Sequence, residues 1–161
     1  MFRSPRRRAA GAALIVAALA FAGSAQAGAH DHGRTIRLLE ADKQVQPTFV
    51  DTGKPGPSVG DMVIVRDGVT RTDGSPAGKF NQVCTLVELA GGPFTSTYEC
   101  TGSFALDGGV VTVQGPFVPS AAEQSAAITG GTGAYRDAGG EAVVKAEADE
   151  IVLELTSARG R

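Results

Sequence analysis

The sequence predicts an all-β fold, specifically an eight-stranded antiparallel β-barrel. Its runs of alternating apolar and polar residues are short and end at glycine or proline, which is typical of strands joined by tight turns. Glycine is abundant, with 22 residues, and tryptophan is absent. Because closure removes the exposed edges of a sheet, a series of eight such strands favours a barrel over an open sheet.

The alternation and the turn signals divide the chain into eight strands. We place them at residues 35–41, 62–66, 79–89, 96–106, 110–113, 123–129, 141–146 and 151–156. Residues 45–60 contain three prolines and three glycines, so we expect a long irregular loop there. The Gly-Gly-Thr-Gly cluster at 130–133 tolerates positive φ, which lets the chain reverse tightly before Tyr135.

The N-terminus has the pattern of a cleavable signal peptide. Residues 1–8 are basic, residues 9–22 are small and apolar, and Ala25-Gln26-Ala27 fits the small-x-small site that signal peptidase cuts. We therefore expect a secreted protein. A membrane anchor is the alternative, although the apolar run is shorter than the ~20 residues that a spanning helix needs. The cluster Arg6-Arg7-Arg8 leaves twin-arginine export open.

Cleavage after Ala27 leaves a single domain. We divide the chain into a signal peptide at 1–27, a flexible tail at 28–33 and the barrel domain at 34–161. The leader removes four arginines, which leaves 11 basic residues against 17 acidic ones and a net charge of about −6. This charge argues against nucleic acid, and against an anionic membrane surface once the signal is removed, as a partner. The composition leaves a homo-oligomer open.

The two cysteines, Cys84 and Cys100, are placed to face each other. The turn signal Gly91-Gly92-Pro93 lies midway between them, so a hairpin folded about Gly92 puts them opposite one another. Other pairs on this face would be Phe80 with Phe104, Gln82 with Gly102 and Leu86 with Tyr98. In an oxidising compartment we expect a disulfide. The alternative is two buried free thiols.

The only two histidines, His30 and His32, lie just beyond the predicted cleavage point. Cleavage after Ala27 would expose Gly28-Ala29-His30. Its α-amine, two amide nitrogens and imidazole form a square-planar nitrogen set suited to Cu(II) or Ni(II). His30 is therefore a candidate metal ligand, and the alternative is a solvated tail that binds no metal.

The sequence patterns of common cofactor and hydrolase sites are missing. Arg136 stands where a third glycine would complete a dinucleotide-binding fingerprint after Gly131-Thr132-Gly133, and no Gly-Lys-Ser/Thr follows. There is no Gly-x-Ser-x-Gly elbow, and no histidine lies within the predicted barrel to serve as a base. We expect no cofactor.

Glu40 is the candidate catalytic residue. Alternation at the end of the first strand puts Leu38, Glu40 and Asp42 on one face, so Glu40 points into the barrel if Leu38 does. A carboxylate in an apolar cavity costs more to ionise and can act on a bound substrate as a charge or a base. The alternative is a rim charge that faces solvent. The predicted substrate contacts on the inward face are Asp42, Gln82, Tyr98, Phe104 and Phe117.

Five motifs occur in the order in which allene oxide cyclases carry them. They are Leu39-Glu40-Ala41-Asp42, Gly60-Asp61-Met62-Val63, Ala77-Gly78 followed by Cys84, Val113-Gln114-Gly115-Pro116-Phe117, and Thr129-Gly130-Gly131-Thr132-Gly133. Over nearly the whole mature chain the sequence therefore resembles the allene oxide cyclase barrels. Residues 131–136 also resemble the Gly-Thr-Gly-aromatic-Arg run of the related dirigent proteins.

The resemblance implies roles for individual residues. In allene oxide cyclases the glutamate matched by Glu40 is implicated in opening an epoxide, and the cysteine matched by Cys84 lies beside the substrate. Asp42 replaces the family's asparagine and cannot donate a hydrogen bond when ionised. The implied function is an isomerase or cyclase that steers ring closure of an apolar substrate. The alternatives are a dirigent-like protein that only orients a ligand or radical, and a stable extracellular module with a filled core.

Overall fold

The computed structural model describes residues 33–42 and 46–157. The predicted signal peptide and the histidine tail, with its candidate metal ligand His30, lie outside the described residues. The strands within them are β1 (Arg34–Glu40), β2 (Thr48–Val50), β3 (Met62–Thr70), β4 (Pro76–Glu88), β5 (Thr97–Leu106), β6 (Gly109–Phe117), β7 (Glu123–Gly131), β8 (Ala138–Lys145) and β9 (Glu150–Ser157). Single 3₁₀ turns lie at Gly133–Tyr135 and Ala146–Ala148.

Eight of these strands close into an antiparallel barrel. The strands from β3 to β9 pair in sequence order, β9 pairs with β1, and β1 pairs with β3 through Leu39↔Thr70 and Glu40↔Val69. This closure leaves β2 outside the ring, paired with β3 at its edge. The predicted all-β, eight-stranded antiparallel barrel is confirmed.

Strand β2 corrects the prediction that residues 45–60 contain no regular element. Thr48, Phe49 and Val50 pair with Ile64, Val63 and Met62 of β3. All three have side chains that favour extended backbone, and an edge position tolerates the prolines that flank them. The rest of that segment is irregular, as its proline and glycine content predicted.

Several strands are longer than predicted, and β6 shows why. The prediction ended this strand at Val113, because glycine and proline follow it within three residues. The strand continues to Phe117, and Pro116 pairs with Glu99 of β5. The last β6 residue that pairs with β7 is Gln114, so Pro116 lies where β6 has one neighbour and a missing N–H is tolerated.

The β4–β5 hairpin has the predicted register. Its inward pairs are Phe80↔Phe104, Gln82↔Gly102, Cys84↔Cys100 and Leu86↔Tyr98. A bulge between Leu86 and Glu88 then absorbs one residue before the turn. Cys84 and Cys100 form a disulfide with a Cα–Cα distance of 4.0 Å, so the free-thiol alternative does not hold in this structure.

Buried apolar residues form two clusters inside the barrel. The larger includes Leu38, Val69, Phe104, Val111, Ile128 and Leu153. The smaller, which we call the disulfide cluster, consists of Cys84, Leu86, Tyr98 and Cys100, with Val63 and Phe117 packed against it. These clusters do not fill the interior, as the cavities described below show.

The reversal after β7 depends on glycine. Gly133 has φ +59°, and a Cβ atom there would lie 2.1 Å from the carbonyl oxygen of Gly108. A side chain is therefore excluded both by the backbone conformation and by the approach of the β5–β6 turn. The reversal buries Tyr135, whose hydroxyl donates a hydrogen bond of 3.2 Å to the carbonyl oxygen of Asp107.

Candidate functional site

A cavity of about 290 Å³ lies inside the barrel, and we call it the barrel cavity. Its wall is mostly apolar. The larger apolar side chains in it are Phe80, Phe104, Val113, Phe117, Val144 and Ile151. Four of the six predicted catalytic and substrate-contact residues, Glu40, Gln82, Phe104 and Phe117, line this one space.

An aromatic pair forms one wall of the barrel cavity. Phe80 and Phe104 stack with ring centroids 4.6 Å apart and planes inclined by 25°. Gly102 lies beside them without a side chain, and a Cβ atom there would lie 3.2 Å from the Phe80 ring and 3.3 Å from Val113. The missing side chain therefore gives the Phe80 ring and Val113 the space to pack over Gly102.

Gln82 is a polar group in this apolar wall. It lies between the inward-facing Phe80 and Cys84 on β4 and lines the barrel cavity. Within the described part of the chain its side-chain amide makes no hydrogen bond. An amide carries two donors and an acceptor, so it can orient a ligand that offers a complementary group.

Glu40 lies at the mouth of the barrel cavity. It is the last residue of β1, and its backbone N–H donates a 3.2 Å hydrogen bond to the carbonyl oxygen of Asp149. The residue is exposed, yet it is part of the cavity lining. Glu40 therefore combines features of both interpretations of the sequence, because it is exposed like a rim charge and also lines the barrel cavity.

Two further charged residues, Lys145 and Asp149, line the barrel cavity, and the sequence interpretation did not identify them. They flank the 3₁₀ turn between β8 and β9, and Asp149 has a left-handed backbone with φ +49°. Lys145 Nζ also lies 3.6 Å from Glu150 Oε2, whose partner carboxylate oxygen accepts a 2.8 Å bond from Arg37. The Arg37 hydrogen bond is the main reason why the pKa of Glu150 is lowered.

The other predicted contacts lie elsewhere. Asp42 is exposed beyond the end of β1, where its backbone N–H approaches Asp67 Oδ2 at 3.5 Å. Tyr98 faces inward but belongs to the disulfide cluster and lines a second cavity. Of the two cysteines, the one that lines the barrel cavity is Cys100, while the resemblance had implied Cys84.

The second cavity has a volume of about 240 Å³ and lies between the barrel and residues 51–57, which we call the strap. We call this space the strap cavity. Asp61 holds the strap in place: its carboxylate accepts hydrogen bonds from the backbone N–H of Ser58 at 2.7 Å and of Thr52 at 3.0 Å. The hydroxyl groups of both residues add bonds of 3.2 and 3.4 Å.

These bonds make the strap sensitive to acid. The backbone hydrogen bonds from Thr52 and Ser58 lower the pKa of Asp61 in the folded protein. A carboxylate with a lowered pKa stabilises the fold above the unfolded-state pKa of about 4, and this contribution is lost as the pH falls through the lowered value. We therefore predict that the strap loosens in that acidic range.

Hydrogen exchange followed by NMR checks this prediction. The Thr52 and Ser58 amides should lose protection as the pH falls through the lowered pKa of Asp61, after correction for intrinsic exchange rates. In the Asp61→Asn variant their protection should be low already at neutral pH and should change little with acid. Equal acid dependence in both proteins would show that Asp61 is not the group that holds the strap.

The described residues include no group of three or more His, Cys, Asp or Glu side chains placed to hold a metal ion. Within the same residues, no helix has the length and apolar character needed to cross a membrane.

Comparison with known proteins identifies the fold family. The family described as "Allene oxide cyclase barrel like domain" matches residues 39–154. A solved structure named pyocyanin demethylase is 32% identical, with a TM-score of 0.64, and the alignment covers 76% of this chain and all of that one. No curated protein sequence matches the chain.

Two Diels-Alderase structures share the fold at lower identity. AbnU, described as an exo-specific intermolecular Diels-Alderase, is 15% identical with a TM-score of 0.57, covering 76% of this chain and 97% of its own. AbmU from Streptomyces koyangensis is 15% identical with a TM-score of 0.56, covering 80% of this chain and 65% of its own. The match over residues 39–154 and the closed eight-stranded barrel lead to one conclusion: this chain belongs to the allene oxide cyclase barrel like family.

Proposed function

We propose that this protein is a secreted small-molecule-binding barrel that takes a flat, largely apolar ring compound into the barrel cavity. The observation that carries the proposal is the Gln82 amide, which faces an unfilled apolar cavity without a hydrogen-bond partner among the described residues. A polar group in such a wall loses hydration unless a ligand or water satisfies it. A module whose only role is structural would have no use for this arrangement.

The size and shape of the barrel cavity favour a compact ligand. Its volume of about 290 Å³ is at the lower end of the range of ~300–1,000 Å³ common for small-molecule sites. The stacked Phe80 and Phe104 rings, together with Val113, provide an apolar wall against which a planar ring can pack. The ligand class is therefore a small ring system with at least one hydrogen-bonding group.

We further propose that the protein acts on the bound ligand as a catalyst. Glu40 supplies a negative charge or a base at the mouth, and the cavity wall restricts a reactive ligand to one geometry of ring closure or isomerisation. A dirigent-like protein that orients its ligand without acting on it would need the same wall but not the carboxylate. Replacing Glu40 therefore distinguishes a catalyst from a protein that only orients its ligand.

A second candidate substrate class comes from the 32% identical structure named pyocyanin demethylase. Its name connects the same barrel with a nitrogen-containing aromatic substrate. A ring nitrogen or phenolic oxygen is a suitable partner for the Gln82 amide, so pyocyanin is the first probe that we would use.

Export is part of the proposal. Cleavage after Ala27 would deliver the chain to an oxidising compartment, and the Cys84–Cys100 disulfide is consistent with such a location. A mature N-terminus of Gly28-Ala29-His30 would carry the predicted Cu(II) site, which acetylation of the α-amine would abolish.

Equilibrium titration tests the binding proposal. Wild-type protein should bind pyocyanin or the neutral ring ketone 1-tetralone, as measured by calorimetry. Gln82→Leu should weaken binding by roughly 3- to 10-fold, because one hydrogen bond is worth about 0.5–1.5 kcal/mol. Ala126→Leu should abolish it, because Ala126 lines the cavity and the larger side chain fills the space.

The matched control is Asn81→Leu, which changes the neighbouring, exposed amide on the same strand. Its affinity should equal that of the wild type. The proposal fails if neither compound binds, or if Gln82→Leu and Ala126→Leu both fold and bind as tightly as the wild type.

A further inference from the structure

The strap cavity and the barrel cavity are separate spaces. They share no lining residue among the described part of the chain. Phe117 and Cys100 line the barrel cavity, while Tyr98 and Leu86 line the strap cavity, and all four belong to or pack against the disulfide cluster. The disulfide cluster therefore lies between the barrel cavity and the strap cavity, and β2 and the strap bound the strap cavity on its other side.

The strap cavity is walled mainly by apolar side chains. They come from the edge strand β2, the strap, the start of β3, and the β4–β5 hairpin: Phe49, Val50, Pro57, Met62, Leu86 and Pro93. Phe49 pairs with Val63, which packs against the disulfide cluster, yet 67% of the Phe49 surface is exposed. A large aromatic ring left so exposed next to an unfilled cavity is available to cover a ligand.

Tyr98 contributes the polar group of this compartment. The residue is 5% exposed, and its hydroxyl makes no hydrogen bond within the described part of the chain. No polar side-chain atom there is fully buried without a partner, so the hydroxyl must reach accessible space, and the strap cavity is the space that Tyr98 lines. Burial raises the pKa of Tyr98, and the charge of Asp61 raises it further, which keeps the hydroxyl protonated as a donor.

The charges around the compartment restrict its ligand. Asp51 and Asp61 both line it, and their carboxylates are used to fold the strap, Asp51 by accepting the N–H groups of Gly53 and Gly56 at 3.2 and 3.1 Å. Two fixed negative charges disfavour an anionic ligand in a space of low polarity. The remaining partner for the Tyr98 hydroxyl is a neutral acceptor such as a carbonyl oxygen.

We propose that the strap cavity is a second ligand site, which binds a neutral apolar molecule through a carbonyl-type acceptor hydrogen-bonded to the Tyr98 hydroxyl. The protein then holds two different small molecules, one on each side of the disulfide cluster. This proposal does not depend on what the barrel cavity binds. It assigns Tyr98 to a different ligand from the one that contacts Gln82.

The test uses 1-indanone, a compact bicyclic ketone labelled with ¹³C at its carbonyl. Bound ketone should give nuclear Overhauser contacts to the rings of Phe49 and Tyr98, and its carbonyl stretch should shift to lower frequency through the hydrogen bond. Tyr98→Phe should abolish that shift and weaken binding at this site by roughly 3- to 10-fold. Phe49→Ala, at an exposed position that tolerates truncation, should also weaken binding.

Three controls keep the proposal falsifiable. Tyr135→Phe removes the chain's other tyrosine hydroxyl and should leave the carbonyl shift intact, and Gln82→Leu should not change binding at Tyr98. Benzoate, an anion of similar size, should not bind in the strap cavity. The proposal is overturned if 1-indanone does not bind, if it contacts only the Phe80 and Phe104 rings, if Tyr98→Phe leaves both affinity and carbonyl frequency unchanged, or if benzoate binds there as tightly.

Discussion

Replacing Glu40 by glutamine is expected to reduce turnover of the substrate by roughly 10²–10⁴-fold while ligand affinity changes little. The substitution keeps the shape of the side chain and the backbone bond to Asp149, and it removes the negative charge at the mouth of the barrel cavity. Only an interaction that is stronger in the transition state than in the bound substrate affects turnover in this way.

The measurement compares kcat and the dissociation constant for Glu40→Gln with those of the wild type. The assay uses a substrate that can undergo ring closure, and its conversion to the cyclic product is followed by chromatography. Glu141→Gln is the matched control, because Glu141 is an exposed carboxylate on β8 that does not line the barrel cavity. Its turnover should stay within twofold of the wild type.

The outcome separates the two functions that share this cavity. If the protein only orients a ligand, the stereochemistry of the product survives in Glu40→Gln, because the wall formed by Phe80, Phe104 and Phe117 remains. A Glu40→Gln variant with unchanged turnover would remove the carboxylate from the catalytic machinery.

Removing the disulfide is expected to lower the free energy of unfolding by about 3 kcal/mol. The bridge closes a chain segment with a sequence separation of 16, and it joins directly opposed residues of β4 and β5. Without it, the unfolded chain gains conformational freedom, and the partition between the two cavities loses its cross-strand link. The double variant Cys84→Ala, Cys100→Ala should therefore unfold at a lower urea concentration.

Two controls identify the bridge as the cause. The wild type treated with a reductant should approach the stability of the double variant, whereas the reductant should not affect the double variant itself. Thiol titration of the denatured, unreduced wild type should find no free cysteine. Equal unfolding midpoints for the unreduced wild type and the double variant, or two reactive thiols in the unreduced wild type, would contradict the prediction.

The local sequence was sufficient to predict how β4 and β5 pair. The turn at Gly91-Gly92-Pro93 and the period of two along the flanking runs predicted that Cys84 faces Cys100 and that Gln82 faces Gly102, and the structure has both pairs. Side-chain alternation and turn chemistry are properties of neighbouring residues, so they can be derived without the rest of the molecule. The same reasoning placed Glu40 and Leu38 on one face of β1.

The ends of strands were harder to derive. Strand β2 and the continuation of β6 through Gly115 and Pro116 depend on partners supplied by β3 and β5. The strand propensities of the residues alone argue against β2 and against the continuation of β6, because proline and glycine normally interrupt a strand. Where an edge is already available and only one neighbour is needed, pairing overrides that preference.

The separation of the barrel cavity from the strap cavity was decided only by the tertiary structure. Alternation assigns Gln82 and Tyr98 to the same inward face, yet the disulfide cluster and Phe117 lie between the cavities that they line. The mouth of the barrel cavity likewise brings Glu40 together with Lys145 and Asp149, which are more than 100 positions away in the chain. Strand periodicity determines which face a side chain occupies, whereas its depth in the barrel and the neighbours that block it follow from strand tilt, closure and the packing of distant residues.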